Sequence, residues 1–188
     1  MAQSIRQQLV ISGLGGQGVL FVTRLLAEAA IEKELPVFTS ETHGMAQRGG
    51  VVLSHLKVGN FASPLIRPFQ ADGLLLLKSE NVARHGFFLK SGGWAVVNAG
   101  GDQQAEITAA AIDADHLAQQ ISNPKAVNLI VLGWALATAE RASGKSGSLF
   151  CSYKDIQGVL KSRFGHQKKM LEASLKALEA GYGAVSGM

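Results

Sequence analysis

The sequence predicts an α/β fold of three layers, a mostly parallel sheet flanked by helices. Three observations carry that expectation. A short β-branched run at 8–12 (QLVIS) ends at glycine and leads into a helical pattern, the order in which strand, turn and helix open a parallel sheet. Val22, Leu25, Leu26, Ala29 and Ala30 then recur at helical spacing, with Arg24, Glu28 and Glu32 on the opposite face. The segment 72–77 (DGLLLL) is almost wholly apolar, as a strand covered on both faces should be. The arrangement is Rossmann-like and reads as a single domain over 1–188.

The remaining elements follow the same alternation. Pro36 introduces a second strand at 37–40, and 41–50 (ETHGMAQRGG) is polar and irregular, a loop at the carboxyl end of that strand. Residues 51–58 alternate in β fashion and stop at the turn signal Gly59-Asn60. A helix is expected over 79–90, a strand over 94–98 and a further helix around 115–121. The last third reads as three helices, 126–141, 153–163 and 167–180. Leu171, Leu175, Leu178 and Tyr182 form a stripe there, and Gly181 stands where a terminator belongs. Trp94 and Trp134 are expected in the core, and 143–148 (SGKSGS) reads as a surface loop. Its Gly144-Lys145-Ser146 has Ala139 where a phosphate-binding P-loop needs its first glycine.

Composition narrows the function classes. A chain of 188 residues suits one ordinary domain, and 47% apolar residues exclude disorder and imply an apolar surface of the kind a protein with partners shows. The net charge of +4 is mild and its lysines and arginines are scattered, so nothing marks a nucleic-acid binder. The one cysteine, Cys151, cannot form an internal disulfide, nor hold an iron–sulfur cluster, which needs about four. A reduced, cytoplasmic setting is the natural reading. Residues 1–6 show no signal-peptide core, and the longest apolar stretch, 127–139, is broken by Asn128 and Thr138 and is too short to span a bilayer. The chain is expected to be soluble, with no membrane contact.

Gly13-Leu14-Gly15-Gly16-Gln17-Gly18 fits G-x-G-x-x-G after a strand and before a helix, where free N–H groups favour a phosphate. Glu41 stands near the place where such sites keep an acid for a ribose. An autonomous NAD(P)- or FAD-binding protein is therefore one reading. Gly16 and Gln17 are unusual interior residues for it, and the other reading is that the glycines only let strand, turn and helix pack closely.

Two segments together resemble a known family. Residues 13–20 (GLGGQGVL), followed by 40–50 (SETHGMAQRGG) and 51–55 (VVLSH), resemble the small catalytic-domain subunit of 2-oxoacid:ferredoxin oxidoreductases. This is the gamma domain of the pyruvate and 2-oxoglutarate enzymes and the beta subunit of the indolepyruvate enzyme. The form His-Gly-Met-Ala-Gln-Arg-Gly-Gly at 43–50 is closer to the indolepyruvate branch, and the resemblance is distinctive over about residues 8–100. It implies oxidative decarboxylation of an aryl or other 2-oxoacid on thiamine diphosphate, electrons passing through iron–sulfur clusters to ferredoxin and the acyl group to coenzyme A. It also implies that thiamine diphosphate, magnesium and [4Fe-4S] clusters belong to a larger partner subunit, that this chain binds no cofactor alone, and that it is inactive alone. Self-association is left open.

The resemblance directs attention to His43 and Arg48. Arg48 offers a planar fork for a carboxylate or phosphate, and His43 a hydrogen bond or a proton shift near neutral pH. Glu41 and Gln47 could orient them, and Gly49 and Gly50 suggest a backbone that something approaches closely. The competing reading pairs Arg48 with Glu41 internally and leaves His43 at a subunit contact. His55 reads as a satisfied structural histidine. His85, His116 and His166 fall on helical or loop surfaces without metal spacing. Cys151 reads as packing, and residues 98–101 (NAGG) as a secondary site at the sheet edge.

Overall fold

The structure, a computed structural model, describes residues 5–43, 50–100, 109–141 and 149–185. In chain order its elements are β1 Gln7–Leu14, α1 Val19–Glu32, β2 Val37–His43, β3 Val51–Val58, β4 Ala71–Leu76, α2 Asn81–His85, β5 Leu89–Asn98, β6 Ala110–Ile112, α3 Ala114–Gln120, α4 Val127–Arg141, α5 Tyr153–Phe164 and α6 Lys168–Ala184. The α/β expectation holds, in a mixed sheet of order β2-β3-β1-β4-β5-β6. β1, β4, β5 and β6 run parallel to one another. β3 is the reversed strand, antiparallel to both β1 and β2, so β2 again points along β1. Among the described residues no helix is long and apolar enough to cross a membrane.

Period-two alternation splits the apolar residues of the sheet between two cores. Leu9, Ile11, Leu56, Val58, Leu75 and Leu77 face α1, α4, α5 and α6. Val10, Leu74, Leu76, Ala95 and Val97 face the other way, under the short α2, the 3-10 turn Gly86–Phe88 and a connecting segment anchored by Ile66. The helical layer is therefore deep on one face and thin on the other. α4 is buried nearly all round, which is why 127–139 reads as an unbroken apolar run without a stripe.

Several boundaries depart from the sequence expectation, each for a local reason. The helix expected over 79–90 stops at His85, because Gly86–Phe88 tightens into a 3-10 turn that drops Phe88 into the second core and hands the chain to β5 at Leu89. β2 continues to His43, so Glu41 lies in a strand, opposite Ser54, and not in a loop. Beyond Phe38 this edge strand is polar on both faces, and that pattern is indistinguishable from a loop in sequence. α6 runs through Gly181 to Ala184. Gly181 marks a helix crossing and not a terminus: a Cβ there would lie 1.9 Å from the carbonyl oxygen of Ile130, and one on Gly133 of α4 would lie 2.1 Å from that of Leu178. Trp134 is buried as expected, and Trp94 is half-buried against Gly73.

Candidate functional site

The turn after β1 is built by its own residues. The side-chain amide of Gln17 folds back so that its Oε1 accepts from the Leu14 amide at 2.7 Å, while its Nε2 donates to the Leu77 carbonyl at 3.4 Å. The Gln17 backbone amide donates to Leu14 O at 3.0 Å, and the Gly15 amide donates to Gly50 O at 2.8 Å. Gly18 takes φ 81° at the start of α1, and a Cβ there would lie 2.0 Å from Nδ2 of Asn128. Asn128, one of the two polar residues that interrupt the apolar run of α4, therefore packs directly against Gly18. Gly13 is closely packed too, with Val19, Gln17 and Leu77 around its α-carbon.

The second predicted segment arrives at the same place. In the pairing register His43 stands opposite Val52, and Val52 stands opposite Gly13. The end of β2, the start of β3 and the glycine turn therefore form one rim of the sheet. Of the candidate residues, Gly13, Gly15, Gly16, Gln17, Gly18 and Gly50 sit at this rim, and the backbone of His43 ends on it. Gln47, Arg48 and Gly49 lie outside the described residues. Glu41 is exposed in the edge strand, two residues back from the rim.

A cleft of about 510 Å³ opens beside the turn, lined by Gly15, Gly16, Leu20, Phe21, Val52 and the two arginines Arg24 and Arg163 among others. Arg163 is held: it pairs with Glu28 and lies 5.8 Å over the Phe21 ring, which itself packs against Phe164. Arg24 is exposed and carries no ion pair among the described residues. An apolar wall with guanidinium groups at its edge suits an anionic group carried on an apolar body. Sequence reasoning missed this pair, because Arg24 read as the polar face of an ordinary helix and Arg163 arrives from the far end of the chain.

The dinucleotide reading loses its physical basis here. Three of the turn amides that a pyrophosphate would need, on Leu14, Gly15 and Gln17, are already engaged. The antiparallel β3 also separates β2 from β1, so an acid at the end of β2 stands two strand spacings, roughly 10 Å, from the glycine turn.

The other singled-out residues are structural. Nδ1 of His55 accepts from the Ile66 amide at 3.3 Å, and burial, then Lys57 and His85, push its pKa down. His85 does not stay on the surface: its Nδ1 shares a hydrogen bond of 2.7 Å with Oγ of the fully buried Ser12, and burial and Arg84 lower its pKa. The two residues are 73 positions apart, which hid the contact from the sequence. Asn98 is spent internally, donating to Leu77 O and Asp115 Oδ2 and accepting from the Ala114 amide, and so ties β5 to α3. Its Gly101 lies outside the described residues. Burial pushes the Cys151 thiol up to about 12, with Asp155 adding to the effect. Such a thiol is neither a nucleophile nor a ready metal ligand, and among the described residues no three His, Cys, Asp or Glu side chains gather as a metal set.

Residues 8–184 match the family described as pyruvate ferredoxin/flavodoxin oxidoreductase. The chain is 30% identical to indolepyruvate oxidoreductase subunit IorB of Archaeoglobus fulgidus, over 97% of this chain and 98% of that protein. It is 25% identical to the subunit of the same name from Thermococcus kodakarensis, over 96% of each. Among solved structures, the gamma subunit of a keto/oxoacid ferredoxin oxidoreductase from Geobacter sulfurreducens superposes with a TM-score of 0.74 at 21% identity, over 97% of this chain and 99% of that one. The 2-oxoglutarate:ferredoxin oxidoreductase of Magnetococcus marinus, solved with 2-oxoglutarate, coenzyme A and succinyl-CoA bound, superposes with a TM-score of 0.77 at 20% identity. There the match spans 97% of this chain but 31% of the larger polypeptide.

Proposed function

The chain belongs to the pyruvate ferredoxin/flavodoxin oxidoreductase family, and from that premise we propose that it is the subunit without a redox centre in a cytoplasmic 2-oxoacid:ferredoxin oxidoreductase acting on indolepyruvate or a related aryl 2-oxoacid. The indolepyruvate assignment is supported by the full-length relatives of that name and by the 43–50 sequence. The observation that carries the role is the hydrogen bond from Gly15 to Gly50, which makes the glycine turn and the stem of the 44–49 segment a single rim.

Among the described residues the rim fits neither thiamine diphosphate nor a [4Fe-4S] cluster. The chain's one cysteine is buried with a thiol pushed up to about 12, and the turn that would hold a diphosphate has closed on its own amides. The chemistry these groups supply belongs in this reading to a larger partner subunit, from which electrons leave to ferredoxin. What this chain contributes is a wall. The rim and its cleft face that partner, with Leu20, Phe21 and Val52 offering apolar surface and Arg24 a guanidinium for the carboxylate of the 2-oxoacid or a phosphate of coenzyme A. Arg48, two residues before Gly50 in the chain, would add a second fork, and the backbone of His43 ends β2 at the rim.

Reconstitution with the larger subunit tests this. The isolated chain should show no visible absorbance and no turnover, and should co-purify with an iron–sulfur partner. Arg48→Ala and Arg24→Gln should each lower turnover of the assembled enzyme at least tenfold while leaving the circular dichroism of the chain unchanged. Unchanged turnover in both variants would contradict the role of the rim. Calorimetry with NAD, NADP and FAD should show no micromolar binding that Gly15→Val abolishes, and binding of that kind would restore the dinucleotide reading.

A further inference from the structure

At the opposite end of β1 the structure holds a second cleft, of about 520 Å³, lined among others by Arg6, Lys57, Phe61, Ser63 and Arg67. It forms because the chain turns at Gly59 after β3, folds back across the thin face of the sheet, and is pinned there by Ile66, whose side chain is buried and whose amide donates to His55. Lys57 and Gln8 are opposite one another in the β1–β3 register, whereas the rim lies at Gly13 and Val52. Five residues of strand separate the two places, roughly 17 Å.

The charge arrangement is unusual for a surface hollow. Arg6 lies over the Phe61 ring with its guanidinium carbon 4.3 Å from the centroid, and Lys57 Nζ lies 5.1 Å from the same centroid. Arg67 comes from the returning segment and completes a set of three cations. Among the described residues no carboxylate lines the cleft and none pairs with these three. Asp72, which accepts from the backbone amide of the wall residue Gln8, is already paired with Lys90. Most of Lys57 is covered, 7% of the residue being exposed, and it lines the cleft. Burying an ammonium beside two other cations is unfavourable, and the ring's electrons offset only part of that cost. Burial, then Arg6 and Arg67, accordingly lower its pKa. An anion of high charge density complements this arrangement. Two planar forks, an ammonium and the hydroxyl of Ser63 match phosphate oxygens, and the volume is that of a small-ligand site.

We propose that the cleft framed by Arg6, Lys57, Phe61 and Arg67 is a binding site for a compact phosphate polyanion of the diphosphate class, separate from the rim at the other end of the sheet. The recognised chemistry is shared by inorganic diphosphate and by the diphosphate of a nucleotide. The site stands on this chain's own residues and does not depend on the assignment of the rim.

The experiment is titration calorimetry of the full 188-residue chain with inorganic pyrophosphate and, in a second arm, with ADP, at low ionic strength. Saturable binding of at least one probe with a stoichiometry of one is expected. Arg67→Gln, at an exposed position and with the circular dichroism of the parent, should weaken it at least tenfold, and Lys57→Met, of similar length without the charge, should weaken it further. Arg84→Gln, an exposed arginine outside the cleft, should leave it unchanged. Tighter binding of pyrophosphate identifies the free anion as the source, and tighter binding of ADP the nucleotide; either supports the site. Absence of saturable binding of both probes would overturn the proposal, as would binding that Arg67→Gln and Arg84→Gln weaken equally.

Discussion

The amide of Gly15 donates to the carbonyl of Gly50 across 2.8 Å, joining two parts of the chain 35 residues apart at one edge of the sheet. The bond follows from topology. β3 is inserted antiparallel between β1 and β2, so it begins where β1 ends, and the residues leading into it are brought against the glycine turn. The same insertion moves β2 away from β1 and removes the geometry a dinucleotide needs. One strand reversal therefore both makes the rim and excludes the commonest ligand of a glycine-rich turn.

The turn depends on Gly18. Its φ of 81° is one that a side chain adopts only under strain, and a Cβ would press on Asn128. Gly18→Ala should cost about 1–3 kcal/mol in urea unfolding. Adding Asn128→Ala should recover the part due to contact and leave the backbone part. A single variant as stable as the parent would show that the turn tolerates a side chain.

The crossing of α4 and α6 makes a sharper contrast between neighbouring glycines. Gly181→Val must drive a side chain into the backbone of Ile130 and should cost more than about 3 kcal/mol, the upper end of overpacking. Gly183 is in the same helix with open space around it, so Gly183→Ala should be neutral or stabilising by up to about 1 kcal/mol. Thermal unfolding of the two variants decides between a crossing site and an ordinary helix position.

His55 and His85 supply a pH dependence. Burial, together with the nearby positive groups, holds both below their ordinary value of 6.5. Below that pH the unfolded chain binds more protons than the folded one, so stability is complete above about 6.5 and is lost as the pH falls towards the folded values. Urea midpoints should drop between pH 7.5 and pH 5. His85→Gln should flatten part of that slope, and a slope unchanged by it would place the titration elsewhere.

Cys151 should be inert. It is 5% exposed and its thiol is pushed up to about 12. A thiol-reactive disulfide reagent at pH 8 should label the native chain far more slowly than the urea-unfolded chain. Equal rates would show that the residue is accessible.

Much of this molecule was legible because its signals are local. The strand, turn and helix from Gln8 to Glu32 are written in a β-branched run, a glycine cluster and a 3.6-residue stripe. The apolar strand at Leu74–Leu77 announces a sheet covered on both sides. What sequence could not disclose is how distant segments meet. The reversal of β3 leaves no mark in its own composition, since a strand alternates alike in either direction. Gly181 reads as a stop because its contact with Ile130 comes from a helix 51 residues earlier. Ser12 and His85, or Arg24 and Arg163, become neighbours only once the sheet and helices have assembled. Of the site, the glycine turn and the segment ending at Gly50 were marked in the sequence, whereas the guanidinium-edged cleft was not.

Hydrogen–deuterium exchange of this chain, alone and in complex with the larger subunit proposed for it, checks where the rim faces. If the rim is the face presented to the catalytic partner, peptides covering 13–21 and 41–52 gain protection in the complex, while those covering 57–70 at the other end of the sheet exchange as before. Protection confined to the 57–70 end, with the glycine turn unchanged, would contradict the account.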